Sequence, residues 1–167
     1  VPNEAVEIKI DSDISLKTRL VDCVGYLVNN AIGYLEDDMP RMVKTPWSEE
    51  EIPFEKAAEI GTKKVIQEHS TIGVLVTTDG SITDIPRADY IQAEERVVSE
   101  LKELKKPFVI VLNSATPYSE ETKNLARDLE AKYSNPVVCT DCTNLSLDDI
   151  NKIFSSILYE FPVERIN

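Results

Sequence analysis

An aspartate and a glycine three residues later are the residues of this chain best suited to holding a metal ion beside a phosphate. They are Asp22 and Gly25, and they belong to an apolar run, Leu16–Cys23, and the turn that follows it. We interpret that run as a strand. A carboxylate just beyond a strand can hold Mg²⁺ through water, because magnesium keeps most of its water shell. The glycine allows a backbone N–H to approach a terminal phosphate closely. An ordinary turn gives the same pattern, so D-x-x-G alone is a weak signal.

A second candidate site is Asn113-Ser114-Ala115-Thr116, at the end of another apolar strand. Ras-like GTPases carry N-K-x-D at this place, and its aspartate binds guanine. Here Ser114 and Thr116 replace the lysine and the acid, so the preference for guanine is lost and ATP or loose base selection is expected. We predict that Asn113 and Ser114 bind the nucleotide, with Asn113 near the base. The alternative is that Asn113 only caps a turn.

Two loops accompany these motifs. The segment from Val24 to Pro53 is long for a loop in a compact domain, and by position we interpret it as an enlarged second switch. Its Tyr26 stands where a Ras-like GTPase has the glutamine that orients the attacking water. A phenol lacks that amide's paired donor and acceptor, so slow hydrolysis is expected. The loop Thr77–Asp84 is rich in hydroxyls and acids, and we expect a structural turn or a partner contact there rather than catalysis.

The cysteines carry a weaker signal. Cys139 and Cys142 have the spacing of half a zinc site or of a redox pair. The chain has one further cysteine, Cys23, and its single histidine is His69, so the remaining ligands of a zinc site are lacking. We therefore interpret these thiols as buried or half-exposed groups without metal or redox chemistry. An odd number of cysteines without a disulfide framework is typical of a reducing cytoplasm.

The elements that must position these residues alternate between strand and helix. The turn after the first strand is too short for a crossover helix, so the first two strands should be antiparallel. The pattern predicts a three-layer α/β fold, with a mostly parallel sheet, one antiparallel edge strand and helices on both faces. Strands are expected at Ala5–Ile10, Leu16–Cys23, Thr71–Thr78, Pro107–Ser114 and Asn135–Thr140, and helices at Phe54–His69, Ala88–Lys105, Glu120–Tyr133 and Ser146–Glu160.

Length and charge limit the function classes. The 167 residues suit a single domain, which we interpret as a nucleotide-binding domain spanning the whole chain. The net charge of −12 repels phosphate backbones, so no nucleic-acid partner is expected. The same charge disfavours direct docking on an anionic membrane unless a partner intervenes. No apolar run approaches the roughly 20 residues that a membrane-spanning helix needs.

Longer segments resemble the stage IV sporulation protein A family, a group of spore-coat morphogenetic ATPases. The resemblance runs from Val1 to Val163, and the run Ile52–Gly73 is its most specific part. Other segments that carry it are RLVDCVGY, MPRM, TPW, TTDGSITDI, QAEERVV, KPFVIVLNSATPY and LYEFPV.

The resemblance implies a Ras-like P-loop NTPase fold and a definite function. The family is similar to translation-factor-class GTPases but uses ATP and Mg²⁺, and hydrolysis drives a static polymer on the outer membrane of the forespore, in the mother-cell cytoplasm. Asp22 corresponds to the metal-coordinating acid and is therefore the catalytic candidate. Partners implied are further copies of the protein, other spore-coat morphogenetic proteins, and a small amphipathic membrane peptide that binds a domain expected after Asn167.

The phosphate loop of such a fold, G-x-x-x-x-G-K-[ST], is not spelled anywhere in the chain. We expect that loop, and the central strand before it, upstream of Val1. That strand should lie between Leu16–Asp22 and Thr71–Thr78, and this chain alone should be inactive. Two alternatives remain at this point. One is a non-catalytic interaction or polymerisation module that uses the acidic surface and the Trp47-bearing loop, and the other is a GTPase-like molecular switch.

Overall fold

The computed structural model describes residues 4–11, 14–36 and 39–161. Within these ranges the chain forms nine strands, four α-helices and one π-helical turn. The strands are β1 (Val6–Asp11), β2 (Ile14–Thr18), β3 (Leu35–Glu36), β4 (Met39–Pro40), β5 (Met42–Thr45), β6 (Ser48–Pro53), β7 (Gly73–Thr78), β8 (Phe108–Asn113) and β9 (Val137–Thr140). The helices are α1 (Phe54–Lys64), α2 (Arg87–Glu103), α3 (Glu120–Tyr133) and α4 (Leu147–Tyr159), and the π-helical turn is Val65–His69.

The centre of the fold is a three-stranded parallel sheet in the order β7-β8-β9. Strand β8 lies in the middle, and Val109, Ile110 and Leu112 are completely buried. A strand covered on both faces needs apolar side chains at every position, which is why its sequence reads as a continuous apolar run. The prediction of a parallel sheet is confirmed, and burial on both faces is confirmed for β8.

Helices cover both faces of this sheet, as the alternation of strand and helix predicted. Buried residues of α2 and α3, among them Leu101 and Leu129, pack with Ile110 and Leu112 on one face. Residues of α4 pack on the other face against Val109, together with apolar side chains of β1 and β2. The three-layer α/β class is therefore confirmed.

Two expectations about the first strands are wrong. The apolar run Leu16–Cys23 is not one strand, because β2 ends at Thr18 and residues 19–28 form neither helix nor strand. Leu20 is 69% exposed, so this stretch lacks the burial that a central strand needs. Strands β1 and β2 are antiparallel, as predicted, but they form a separate two-stranded sheet rather than the edge of the parallel one.

The segment from Val24 to Pro53 is partly regular. It contains two short antiparallel hairpins, β3–β4 and β5–β6. The turn of the second hairpin carries Trp47, whose ring lies beside Gly61 of α1. The segment is thus fastened to the helical layer while most of its surface stays exposed.

Helix ends follow the local sequence closely. Helix α4 begins with a capping box, because the Ser146 hydroxyl accepts the Asp149 N–H and the Asp149 carboxylate accepts the Ser146 N–H. Across the described ranges, the helices are all too short or too polar to cross a bilayer.

Candidate functional site

A cavity of about 430 Å³ lies between the segment Val21–Val28 and strand β7. In the part of the chain that the structure describes, β7 pairs with β8 alone, so its other edge faces this cavity. Helix α2 and the π-helical turn complete the walls. The predicted metal and phosphate residues Asp22 and Gly25 line the cavity together with Thr77 near the end of β7, although β2 stops at Thr18 and the expected strand does not reach Asp22.

Asp22 is exposed to solvent. Among the described residues there is no group of three or more histidine, cysteine or acidic side chains able to hold a metal ion. A single exposed carboxylate fits Mg²⁺ bound through its own water shell, and it does not fit a metal held only by protein. The donor set is therefore compatible with the predicted magnesium role of Asp22, which stays a prediction.

A glycine is needed at position 25 because of the backbone conformation there, and not because a side chain would clash with its neighbours. Its φ is +82°, in the left-handed region, and a Cβ placed on it would meet no atom within 4 Å. A side chain would be strained there although the room exists. The conformation supports a turn whose N–H groups stay accessible, and the contact with a phosphate remains a prediction.

Tyr26, directly after Gly25, is bound to helix α2. Its hydroxyl donates a hydrogen bond to the Glu100 carboxylate, and the Arg96 guanidinium lies 4.0 Å from the centre of its ring. Burial and the Glu100 carboxylate raise the pKa of Tyr26 above its ordinary value. The phenol lines the cavity, but its hydroxyl is bound to α2. The slow hydrolysis expected from the sequence stays a prediction.

Asn113 acts as a link between two loops. Its side-chain carbonyl accepts the N–H of Cys142 at 2.9 Å, which ties the end of β8 to the loop after β9. This contact fits the alternative of a turn-holding residue, and it also fixes the loops at the sheet edge where a base would be bound. Direct binding of a nucleotide by Asn113 stays a prediction.

Ser114 is completely buried. Its hydroxyl accepts the Thr116 N–H at 3.0 Å and shares a hydrogen bond with the Thr122 hydroxyl at 3.2 Å. These contacts shape the loop from inside the protein, so the side chain has its partners without a ligand. The predicted nucleotide contact of Ser114 is not tested by this arrangement, which supports an indirect role through loop geometry.

A second cavity, of about 410 Å³, lies beyond this loop. Thr116, Ser119, Thr140 and Asp141 are among the residues that line it. It is separate from the cavity at Asp22, whose lining includes neither Asn113 nor Ser114. The four predicted site residues therefore lie in two groups. Asp22 and Gly25 line the first cavity beside the unpaired side of β7, and Asn113 and Ser114 lie at the carboxyl end of β8.

A buried ionic cluster that was not among the predicted site residues lies beside the first cavity. Glu94 of α2 is 3% exposed and accepts hydrogen bonds from Thr77 at 2.7 Å, Arg87 at 2.8 Å and Tyr133 at 2.8 Å. Burial acts to raise the pKa of Glu94, but the bonds from Arg87 and Thr77 outweigh it and hold the pKa below its usual value. A usable signal existed, since Glu94 falls one turn after Tyr90 on the apolar stripe of α2.

The loop Thr77–Asp84 is held by a hydrogen bond within the loop and by bonds to residues of the neighbouring loop and helix α3. Asp79 accepts the Ser81 N–H at 2.9 Å and the Thr122 hydroxyl at 3.2 Å. The Ser81 hydroxyl in turn accepts the Ala115 N–H at 2.9 Å. Of the two roles expected for this loop, the contacts support the structural turn, which braces the two sheet-edge loops against each other.

Cys139 and Cys142 are half-buried free thiols. Burial raises the pKa of both, which disfavours the thiolate form that metal binding and redox chemistry need. The third cysteine, Cys23, is exposed next to Asp22. The interpretation of these residues as unreactive thiols is thus supported for the pair.

Comparison with known proteins identifies relatives over nearly the whole chain. The family model described as "Stage IV sporulation protein A, ATPase domain" matches residues 1–162. The chain is 53% identical over its full length to Stage IV sporulation protein A of Bacillus anthracis and to that of Bacillus subtilis (strain 168). It is 54% identical over 99% of its length to the protein of the same name from Clostridioides difficile (strain 630).

The chain spans 34% of the length of each of these curated relatives. No solved structure matches it.

Proposed function

The chain belongs to the ATPase domain of the stage IV sporulation protein A family, and from this membership we propose that its Asp22–Gly25 segment forms half of an ATP-hydrolysing site in the full-length protein. The observation that carries the proposal is that Asp22, Gly25 and Thr77 share one cavity beside the open edge of β7. The family match supports the proposed activity, and the shared cavity supports the proposed location.

Asp22 would hold Mg²⁺ through water, because it is the exposed carboxylate of that cavity. When bound, the ion neutralises charge on the phosphates. The backbone N–H groups around Gly25 would face the terminal phosphate, and Tyr26 stays bound to α2. No residue described here replaces the water-orienting glutamine, so the proposal includes slow turnover.

The base would lie near the loops that Asn113 joins. Thr116 stands where a guanine-binding protein has its acid, and its backbone N–H is bound to Ser114. A hydroxyl cannot accept the paired donors of guanine, so ATP is the proposed nucleotide. GTP would compete weakly.

The open edge of β7 supports the proposal of a Ras-like sheet with one more central strand. Val74 and Val76 are 43% and 58% exposed, which is high for valines in the main sheet of a domain. A strand from elsewhere in the full-length protein would pair with this edge and bury them. It would fill the cavity along β7, so that Asp22 and Gly25 would lie beside the new strand. Slower amide hydrogen exchange at Val74 and Val76 in the full-length protein than in this chain would support that strand, and equal exchange would exclude it.

The remaining parts of the proposal rest on the family. Hydrolysis would drive polymerisation into the basement layer of the spore coat, on the forespore surface in the mother-cell cytoplasm. Other copies, further coat-morphogenetic proteins and, through another domain, a small amphipathic membrane peptide would be the partners.

A second function, as a non-catalytic interaction module, is favoured by one observation. Apolar side chains of the segment 24–47 lie exposed, and Ile32 is 99% exposed. Exposed apolar side chains concentrated in one segment are common at interaction sites. The set also includes Val24, Leu35, Met39, Met42 and Trp47. This surface could serve assembly in the same protein that hydrolyses ATP.

The test compares full-length protein with its Asp22→Asn variant. ATP hydrolysis should fall by about 100-fold, because an amide holds the metal far less well than a carboxylate. Asp128→Asn, an exposed acid on α3, is the matched control and should keep the wild-type rate. Competition between ATP and GTP in the same assay reports the base preference.

An Asp22→Asn rate equal to wild type would remove Asp22 from catalysis. A wild-type protein that hydrolyses no nucleotide but still assembles would favour the interaction module. Tighter competition by GTP than by ATP would favour the switch-like GTPase.

A further inference from the structure

Tyr26, the residue after Gly25, lines the cavity but makes its polar contacts with side chains outside the lining. Tyr26 donates its hydroxyl to Glu100, and its ring lies under the Arg96 guanidinium. Arg96 also forms ion pairs with Glu100, at 3.4 Å, and with Glu59 of α1. One aromatic ring, one cation and two carboxylates thus join three separate parts of the chain. We call these four side chains the Tyr26 anchor.

A second contact fastens the same segment four residues further on. The Asn30 side-chain amide donates to the Asp89 carboxylate of α2 at 2.8 Å. Between the end of β2 and β3 the backbone forms neither helix nor strand. Side-chain contacts with α2 are therefore what determines where this stretch of backbone lies.

Gly25 makes the anchor matter for the cavity. At φ +82° it turns the chain between Asp22 and Tyr26, and a side chain there would touch nothing within 4 Å. The backbone at this point is not clamped by packing. The position of Asp22 at the cavity consequently depends on the contacts that hold Tyr26, the residue after Gly25.

From this geometry we propose that Tyr26 is a positioning residue: by binding Arg96 and Glu100 it sets the placement of Asp22 and Gly25, and through Glu59 it couples that placement to α1. The proposal rests on the proposed function for its effect on hydrolysis. Its structural part, the fixing of the segment on α2, stands without it.

The first test uses hydrolysis by the full-length protein. Tyr26→Phe removes the hydroxyl and keeps the ring, and kcat should fall by about tenfold with the KM for ATP changed by less than about twofold. Glu100→Gln should likewise lower kcat and leave the KM for ATP nearly unchanged. The effects of the double variant should be less than additive, because Tyr26→Phe removes the bond that Glu100→Gln weakens. Tyr159→Phe, on an 87% exposed tyrosine of α4, is the control.

The second test needs no catalysis. Spin labels on Cys23 and on Ser99→Cys, an exposed position of α2, report the distance between the segment and the helix in a full-length protein freed of other cysteines. The wild-type distribution should be narrow, and Tyr26→Phe should broaden it while Tyr159→Phe does not.

The outcomes separate the two proposals. If hydrolysis depends on Asp22 while Tyr26→Phe changes neither kcat nor the distance distribution, the anchor is refuted and the proposed function stands. If the wild-type protein hydrolyses nothing, the proposed function fails, and the distance distribution alone decides the anchor. A rise in KM equal to the fall in kcat/KM would also contradict a positioning role.

Discussion

Strand β8 and the segment Arg19–Val28 are both rich in apolar residues, but they differ in how deeply these residues are buried. In β8 the side chains of Val109, Ile110 and Leu112 are completely buried between two helical layers. In the segment, Leu20 and Val24 are each 69% exposed and the backbone is irregular. The difference lies in the neighbours, since β8 has a strand on each side and the segment has none within the described residues.

This contrast separates the source of stability from the place of the proposed chemistry. The parallel sheet and its helices hold the domain together through burial. The segment carrying Asp22 is held by a few polar contacts, among them the Tyr26 anchor. Weakly held segments are the ones that can respond to a ligand. Substitutions in the two regions should therefore have effects of very different size.

The largest expected effect is a cavity in the sheet. Leu112→Ala removes a completely buried side chain and should lower the free energy of unfolding by about 3 to 4 kcal/mol. Urea denaturation of the domain measures it. Ile32→Ala, at a 99% exposed site, is the control and should change the value by less than about 0.5 kcal/mol. Equal effects at both sites would break the contrast between the two regions.

A smaller but still large effect is expected at the buried ionic cluster. Glu94→Gln leaves Arg87 without its carboxylate partner, and the loss of unfolding free energy at pH 7 should be about 3 kcal/mol. Glu95→Gln breaks only the exposed pair with Lys132 and should cost less than about 1 kcal/mol. A similar cost for both neighbours would show that Glu94 is not the ionic centre of the fold.

The stabilisation that Glu94 provides should depend on pH. Because the folded-state pKa of Glu94 is lowered, its stabilising contribution is present above the unfolded glutamate pKa of about 4.3 and is lost as the pH falls through the folded value. The difference in unfolding free energy between wild type and Glu94→Gln should therefore shrink from pH 7 to pH 3. A difference that grows on acidification would contradict the sign of this shift.

The smallest effect is expected at a helix end. Ser146→Ala removes the capping hydroxyl of α4 and should lower the free energy of unfolding by about 1 kcal/mol. Ser155→Ala inside the same helix should raise it by a few tenths, about 0.3 kcal/mol, since alanine is the better helix former. Thermal unfolding of the two variants should move in opposite directions. A Ser146→Ala variant as stable as the wild type would show that the cap adds nothing to the fold.

Much of the fold was predictable because local rules determine it. Helix α3 lies where the apolar spacing put it, and the capping box of α4 could be read from Ser146 and Asp149 alone. The buried β8 followed from its unbroken apolar run. These features depend on residues close together in the chain, so their physics is visible in the sequence.

The candidate site was predictable in part. Asp22 and Gly25 were selected as candidates because of their spacing, and both line one cavity in the structure. The end of β2 at Thr18 was not predictable, since an apolar run reads as a strand whether or not a partner strand is beside it. The carboxylate of Glu94 was also missed, because a buried acid is recognised only once its partners are known.

The sequence by itself determined the class of fold, the ends of the later helices and the family, because these depend on periodicity, caps and long unbroken similarity. Only the tertiary structure decided that Asn113 links two loops, that Ser114 is buried and that Tyr26 is bound by Arg96 and Glu100. Those contacts join residues 29 and 74 positions apart. No local pattern specifies such pairs, since they exist only once the sheet and its helices have packed.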